Sequence, residues 1–184
     1  DHGYWQSDPI LLRPGALYEL GFRARRTPGT AGGVATAGTT RINRDFVLAE
    51  EWQEYRFVFR QPDDQSEEKV RLGHWHMQGT IEFDRVWLLP VHVVHHRMPS
   101  QAQAPAFEVG AGESLRGNRY EFRPRYHGES ANYHRPLVYA TARFNTDRWV
   151  FSPGAEVQYR LALPGWAQTA AELELSINYH ESGR

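Results

Sequence analysis

Apolar and polar residues alternate with a period of two along most of the chain, the pattern of strands that bury one face. In Leu17-Tyr18-Glu19-Leu20-Gly21-Phe22-Arg23-Ala24, one face carries Tyr18, Leu20, Phe22 and Ala24. Arg13-Pro14-Gly15 supplies the turn before it. Residues 55–59 alternate again and stop at Pro62-Asp63-Asp64. The next run puts Val70, Leu72, His74 and His76 on one face and Arg71, Gly73, Trp75 and Met77 on the other. Gln78-Gly79 then turns the chain into a strand over 81–89, closed by Pro90.

Residues 98–105, Met-Pro-Ser-Gln-Ala-Gln-Ala-Pro, are small, polar and bounded by proline, which predicts a linker. Strand patterning resumes over 119–122, 137–144, 149–151, 157–163 and 173–179. In the last of these, Leu173, Leu175, Ile177 and Tyr179 are expected to face inward, with Glu174, Ser176 and Asn178 outward. Residues 48–54 and 168–171 admit a helical reading, but neither is long enough to stand alone. The predicted fold class is therefore all-β, with two antiparallel, jelly-roll-like β-sandwich modules. The expected division is a first module over 1–92, a linker over 93–105 and a second module over 106–184.

Composition narrows the function. An apolar share of 40% over 184 residues can build a core without covalent staples. The absence of cysteine removes disulfides, thiol nucleophiles and cysteine-ligated zinc. A net charge of −1 gives no electrostatic case for nucleic acid or an anionic membrane as partner. Lys69 is the only lysine, and the arginines are not clustered, which reads as composition rather than as an anion site. No apolar run approaches the roughly 20 residues of a membrane-spanning helix. The chain opens at Asp1, not Met, and the expectation is a mature or excised piece of a longer extracellular, periplasmic or cell-surface protein.

Three segments carry a family likeness: Leu12-Arg13-Pro14-Gly15-Ala16-Leu17-Tyr18-Glu19-Leu20, Glu51-Trp52-Gln53-Glu54-Tyr55-Arg56-Phe57-Val58-Phe59, and Gly79-Thr80-Ile81-Glu82-Phe83-Asp84-Arg85-Val86-Trp87-Leu88. Through them, residues 9–90 resemble the galactose-binding-like jelly-roll carbohydrate-binding modules attached to xylanases and glucanases. The resemblance implies a β-sandwich that binds polysaccharide without catalysis. It also implies a structural calcium at Asp84, helped by backbone carbonyls. The other reading of Asp84 is a carboxylate bonded to backbone groups of a loop. The chain departs from the family at its start, where residues 1–7 are short for the usual first strand, so the first module is expected to be incomplete. It departs again at Arg85, where an acidic residue often follows the aspartate. Residues 106–184 resemble no family.

The candidate glycan site is Trp75 with Arg71, completed by Trp87 and His76. Trp75 and Arg71 share the less apolar face of their strand, where an indole can stack on a sugar ring while a guanidinium donates to hydroxyls. Packing between modules is the competing role for Trp75. Trp87 would join it if the two strands paired. Trp52 reads as a core residue. Tyr4 and Trp5 either flank the sugar surface or cover a sheet edge. His74 and His76, at i and i+2, and the His92, His95, His96 run could hold a metal, but their spacing matches no known ligand set and reads as polar sheet surface. In 132–136 and 143–149, polar and aromatic residues gather at turn-like positions, as in a second ligand site or simply in turns. No nucleophile elbow is present, and no carboxylate pair is singled out for hydrolysis. No cofactor beyond the calcium is expected. The expected function is a carbohydrate-binding region of a larger protein. The alternative is a structural or assembly module that packs on neighbouring domains or subunits.

Overall fold

The computed structural model describes residues 2–94, 96–98, 107–128 and 130–178, and among these described residues it forms seventeen strands and no helix. The first half supplies β1 (His2–Gln6), β2 (Ile10–Leu11), β3 (Leu17–Arg26), β4 (Val34–Gly38) and β5 (Ile42–Phe46). It continues through β6 (Gln53–Arg60), β7 (Glu67–Glu68), β8 (Arg71–Trp75) and β9 (Ile81–Pro90). The second half adds β10 (His96–Met98), β11 (Phe107–Val109), β12 (Glu113–Arg116) and β13 (Arg119–Phe122). It ends with β14 (Leu137–Ala140), β15 (Arg143–Asn145), β16 (Arg148–Val150) and β17 (Val157–Tyr159). The all-β expectation holds.

Two sheets share one core. A three-stranded antiparallel sheet runs in the order β6-β3-β9, and a six-stranded sheet in the order β1-β8-β4-β5-β15-β16. The alternation of β3 sends Leu20, Phe22 and Ala24 inward, where they are fully buried beside Phe57 and Phe59 of β6. The facing sheet contributes Ala35 and Ala37 of β4, Ile42 of β5, Leu72 of β8 and the ring of Phe144 of β15 at its inward positions. Bulky rings on one sheet against alanines on the other let the layers interdigitate. Phe46 closes the stack with its edge against Phe22, ring centroids 5.2 Å apart.

The expected boundary at 93–105 does not separate two cores. β15 lies parallel to β5 with Phe144 opposite Ile42, and Ala131 and Phe144 belong to the same buried cluster as Phe22. Period and turn composition mark a strand, but they do not say which sheet it joins. Within the expected linker, β10 occupies His96–Met98, while residues 95 and 99–105 lie outside the described residues.

Two other expectations are corrected. Residues 161–178 form no strand, and Leu173, Leu175 and Ile177 are 81%, 69% and 80% exposed instead of facing inward; Tyr179 lies outside the described residues. Trp52 precedes β6 and is only half-buried, covered by the guanidiniums of Arg23 and Arg25 at 5.2 and 4.9 Å from its ring. It makes a cation–π stack on the outside of the smaller sheet, not core packing.

Shared burial gives a stability test. Phe144→Ala should destabilise the whole sandwich by about 3–5 kcal/mol, as a core phenylalanine deletion does, and so should Phe22→Ala. Both variants are expected to unfold in one transition that moves as a unit in urea. Separate transitions for the two halves of the wild-type chain would contradict the common core.

Candidate functional site

The strand register that buries Leu72 turns Arg71, Gly73 and Trp75 to the outer face of the six-stranded sheet. Antiparallel pairing sets His2 of β1 opposite Trp75, Tyr4 opposite Gly73 and Gln6 opposite Arg71. On the other flank, Thr36 of β4 lies opposite Gly73, and Asp45 of β5 lies opposite Thr36. Aromatic and polar side chains thus meet on one surface because four strands present the same parity.

The surface is ordered by contacts among its own residues. The Tyr4 ring lies across Gly73, where an added Cβ would come within 2.6 Å of Tyr4 Cδ1, so the glycine is required by close approach. The Arg71 guanidinium sits 5.3 Å from the Tyr4 ring centroid. Its Nε donates to the Thr39 carbonyl at 3.2 Å and its Nη2 to the Thr40 carbonyl at 3.4 Å. At the other end, the His2 and Trp75 rings stack with centroids 5.4 Å apart, and His76 meets Trp75 edge-on at 4.8 Å. Trp75 keeps 48% of its surface in solvent. Beside this row, Thr36 Oγ1 donates to Asp45 Oδ1 at 2.7 Å and holds the carboxylate in place. Exposed ring faces, a fixed cation and a fixed acceptor are the groups with which a protein surface holds a polyhydroxylated ring.

Of the four residues expected to form the site, Arg71, Trp75 and His76 come together here. Trp87 does not. β9 belongs to the three-stranded sheet, so β8 and β9 never pair. Trp87 lies flat over Gly21, and its Nε1 donates to Glu19 Oε1 at 3.1 Å. A bulge in β9, with Arg85 in the left-handed region at φ 54°, re-aims the residues that follow it. Tyr4 is part of the surface, whereas Trp5 points to the opposite side of β1. Thr36 and Asp45 were not anticipated, because their place beside Trp75 depends on the pairing of β4 with β5 and β8, which no local pattern encodes.

Asp84 faces Arg23 at 3.6 Å on an exposed strand surface. Among the described residues no group of three His, Asp or Glu side chains converges. A guanidinium in place of further oxygen ligands does not fit a calcium shell. His74 turns toward the core side of β8 with a buried Nδ1, while His76 adopts φ 53° after the strand ends. His92 is exposed, and the side chains of His95 and His96 lie outside the described residues.

Asn132 and Arg135, in the first polar cluster of the second half, hold the structure together. Asn132 is buried and behaves as a surrogate strand: its Oδ1 accepts from the Arg60 amide at 2.8 Å and its Nδ2 donates to the Arg60 carbonyl at 3.0 Å. Glu113 accepts from Arg135 on two sides, from Tyr120 at 2.5 Å and from the Gly110 amide at 2.6 Å. Burial alone would raise its pKa, but the hydrogen bonds from Arg135 and Tyr120 hold it below the usual carboxylate range. Thr146, in the left-handed region at φ 57°, closes the tight turn between β15 and β16. Comparisons with protein-family models and with curated proteins found no match.

His134 carries a pH signature. Its Nε2 accepts from the Arg125 amide at 2.9 Å, and burial lowers its pKa from 6.5 to about 4. The unfolded chain therefore binds the extra proton across that window, so stability should be complete above pH 6.5 and decline as the pH falls toward about 4. Urea midpoints measured through this window should fall in the wild type and fall less in His134→Gln. An equal slope in both would show that His134 is not the group responsible.

Proposed function

We propose that the chain is a non-catalytic carbohydrate-binding unit that holds a glycan on the outer face of its six-stranded sheet. The observation that carries this reading is the half-exposed Trp75 ring in a row with His2, Tyr4 and Arg71, beside the fixed Asp45 carboxylate. Trp75 and Tyr4 offer apolar faces to the C–H side of a pyranose. Arg71 donates to ring hydroxyls and Asp45 accepts from them. The side chains are held before ligand arrives, which lowers the ordering cost of binding. The near-neutral chain suits an uncharged polysaccharide.

The test is affinity electrophoresis of the 184-residue chain against soluble xylans and β-glucans. Wild type should be retarded by at least one of them. Trp75→Ala should weaken that binding about tenfold or more, since burying an aromatic ring is worth about 1.5–3 kcal/mol. Asp45→Asn should weaken it less, and Trp87→Ala, on the other sheet, should leave it unchanged. Both tryptophan variants should be checked by thermal melting, and Trp75→Ala should keep the wild-type Tm. A wild-type chain that binds no glycan, or a Trp75→Ala chain that binds as wild type, would transfer this face to a protein partner.

A further inference from the structure

One side of the sandwich is open among the described residues. β9 pairs with β3 along one edge, and among the described residues no strand covers its other edge. β1 is likewise an outermost strand of the larger sheet. Between these two edges runs a groove of about 380 Å³ lined by Trp5, Ile10, Leu12, Val70, Val86 and Leu88, nearly all apolar. Trp5 and Val86 are 58% and 42% exposed within it. A long strand with a row of unmatched backbone N–H and C=O groups is a template for another strand, and an apolar groove beside it selects one with apolar residues at every second position.

Such a segment exists in the same chain. Residues 171–178, Ala-Glu-Leu-Glu-Leu-Ser-Ile-Asn, form no strand and hold Leu173, Leu175 and Ile177 in solvent, with polar residues between them. Their alternation is that of a half-buried strand, yet none of the described residues buries them. The acceptor edge lacks a strand and the donor strand lacks an edge. We infer that residues 171–178 of one copy add as a strand to the free edge of β9 in a second copy, seating Leu173, Leu175 and Ile177 in the groove. Donor and acceptor are different surfaces, so the contact is head-to-tail and repeats from copy to copy, giving closed rings or open chains according to the angle between neighbours. The glycan face lies on the outer surface of the larger sheet and stays open in such an assembly.

Sedimentation of the full chain over a wide concentration range tests this. The wild type should associate as concentration rises. A donor-blocked chain, Leu173→Asp with Leu175→Asp and Ile177→Asp, should stay monomeric, and so should an acceptor-blocked chain, Val86→Asp. All four positions are solvent-exposed, so both chains should fold, which thermal melting verifies. Mixing the two should form a one-to-one dimer, because the donor-blocked chain keeps its edge and the acceptor-blocked chain keeps its strand. A wild type that is monomeric throughout, blocked chains that associate as wild type does, or a mixture that stays monomeric would each overturn the inference.

Discussion

Packing of Phe22, Phe57 and Phe59 against Ala35, Ala37, Ile42 and Phe144 is the constraint on which the remaining structure depends. It decides which parity of every strand points inward. Once Leu72 is committed to that core, Arg71 and Trp75 have no choice but the outer face, and Tyr4 must cross Gly73 to share it. The surface proposed to bind glycan is thus a by-product of burial on the other side of the same strands. No separate device places it.

The same packing draws the second half of the chain into the first. Phe144 enters the common core, while Asn132 and Asp63 make the joint polar and reciprocal. The Ala140 amide donates to Asp63 Oδ2 at 2.7 Å, and the Asp63 amide donates to the Ala140 carbonyl at 2.9 Å. Asn132 does the same for both backbone groups of Arg60. Buried polar groups satisfied in pairs fix a docking geometry that apolar contact alone would leave loose. Asn132, from one of the two polar clusters that read as ligand site or turn, is among the residues that tie this seam.

Alternation was enough to find β3, β6 and β8, and to put Trp75 and Arg71 on one side, because faces within a strand depend only on local spacing. Partners across strands depend on which strands pair. Trp87 would join Trp75 only if β8 and β9 were neighbours, but the chain crosses between sheets at Gln78-Gly79, and the bulge at Arg85 shifts parity once more. Asp45 and Thr36 carry no local signal for the converse reason: their positions gain meaning only when β5 pairs with β4. Trp52 looked like a core residue from its size, but two arginines cover it on the outside. Leu173, Leu175 and Ile177 have a strand pattern but pair with no strand among the described residues, which alternation alone does not reveal.

The common core is tested most directly by hydrogen exchange under native conditions. The Phe144 amide donates to the Arg41 carbonyl and the Thr146 amide to the Asn43 carbonyl, both at 2.9 Å, across the seam between the two halves. If one core holds both halves, these amides should exchange only through global unfolding, with the same protection and the same dependence on denaturant as the amides of β3 and β6. Rapid exchange at Phe144 and Thr146 while β3 and β6 stay protected would contradict the account and restore two independent modules.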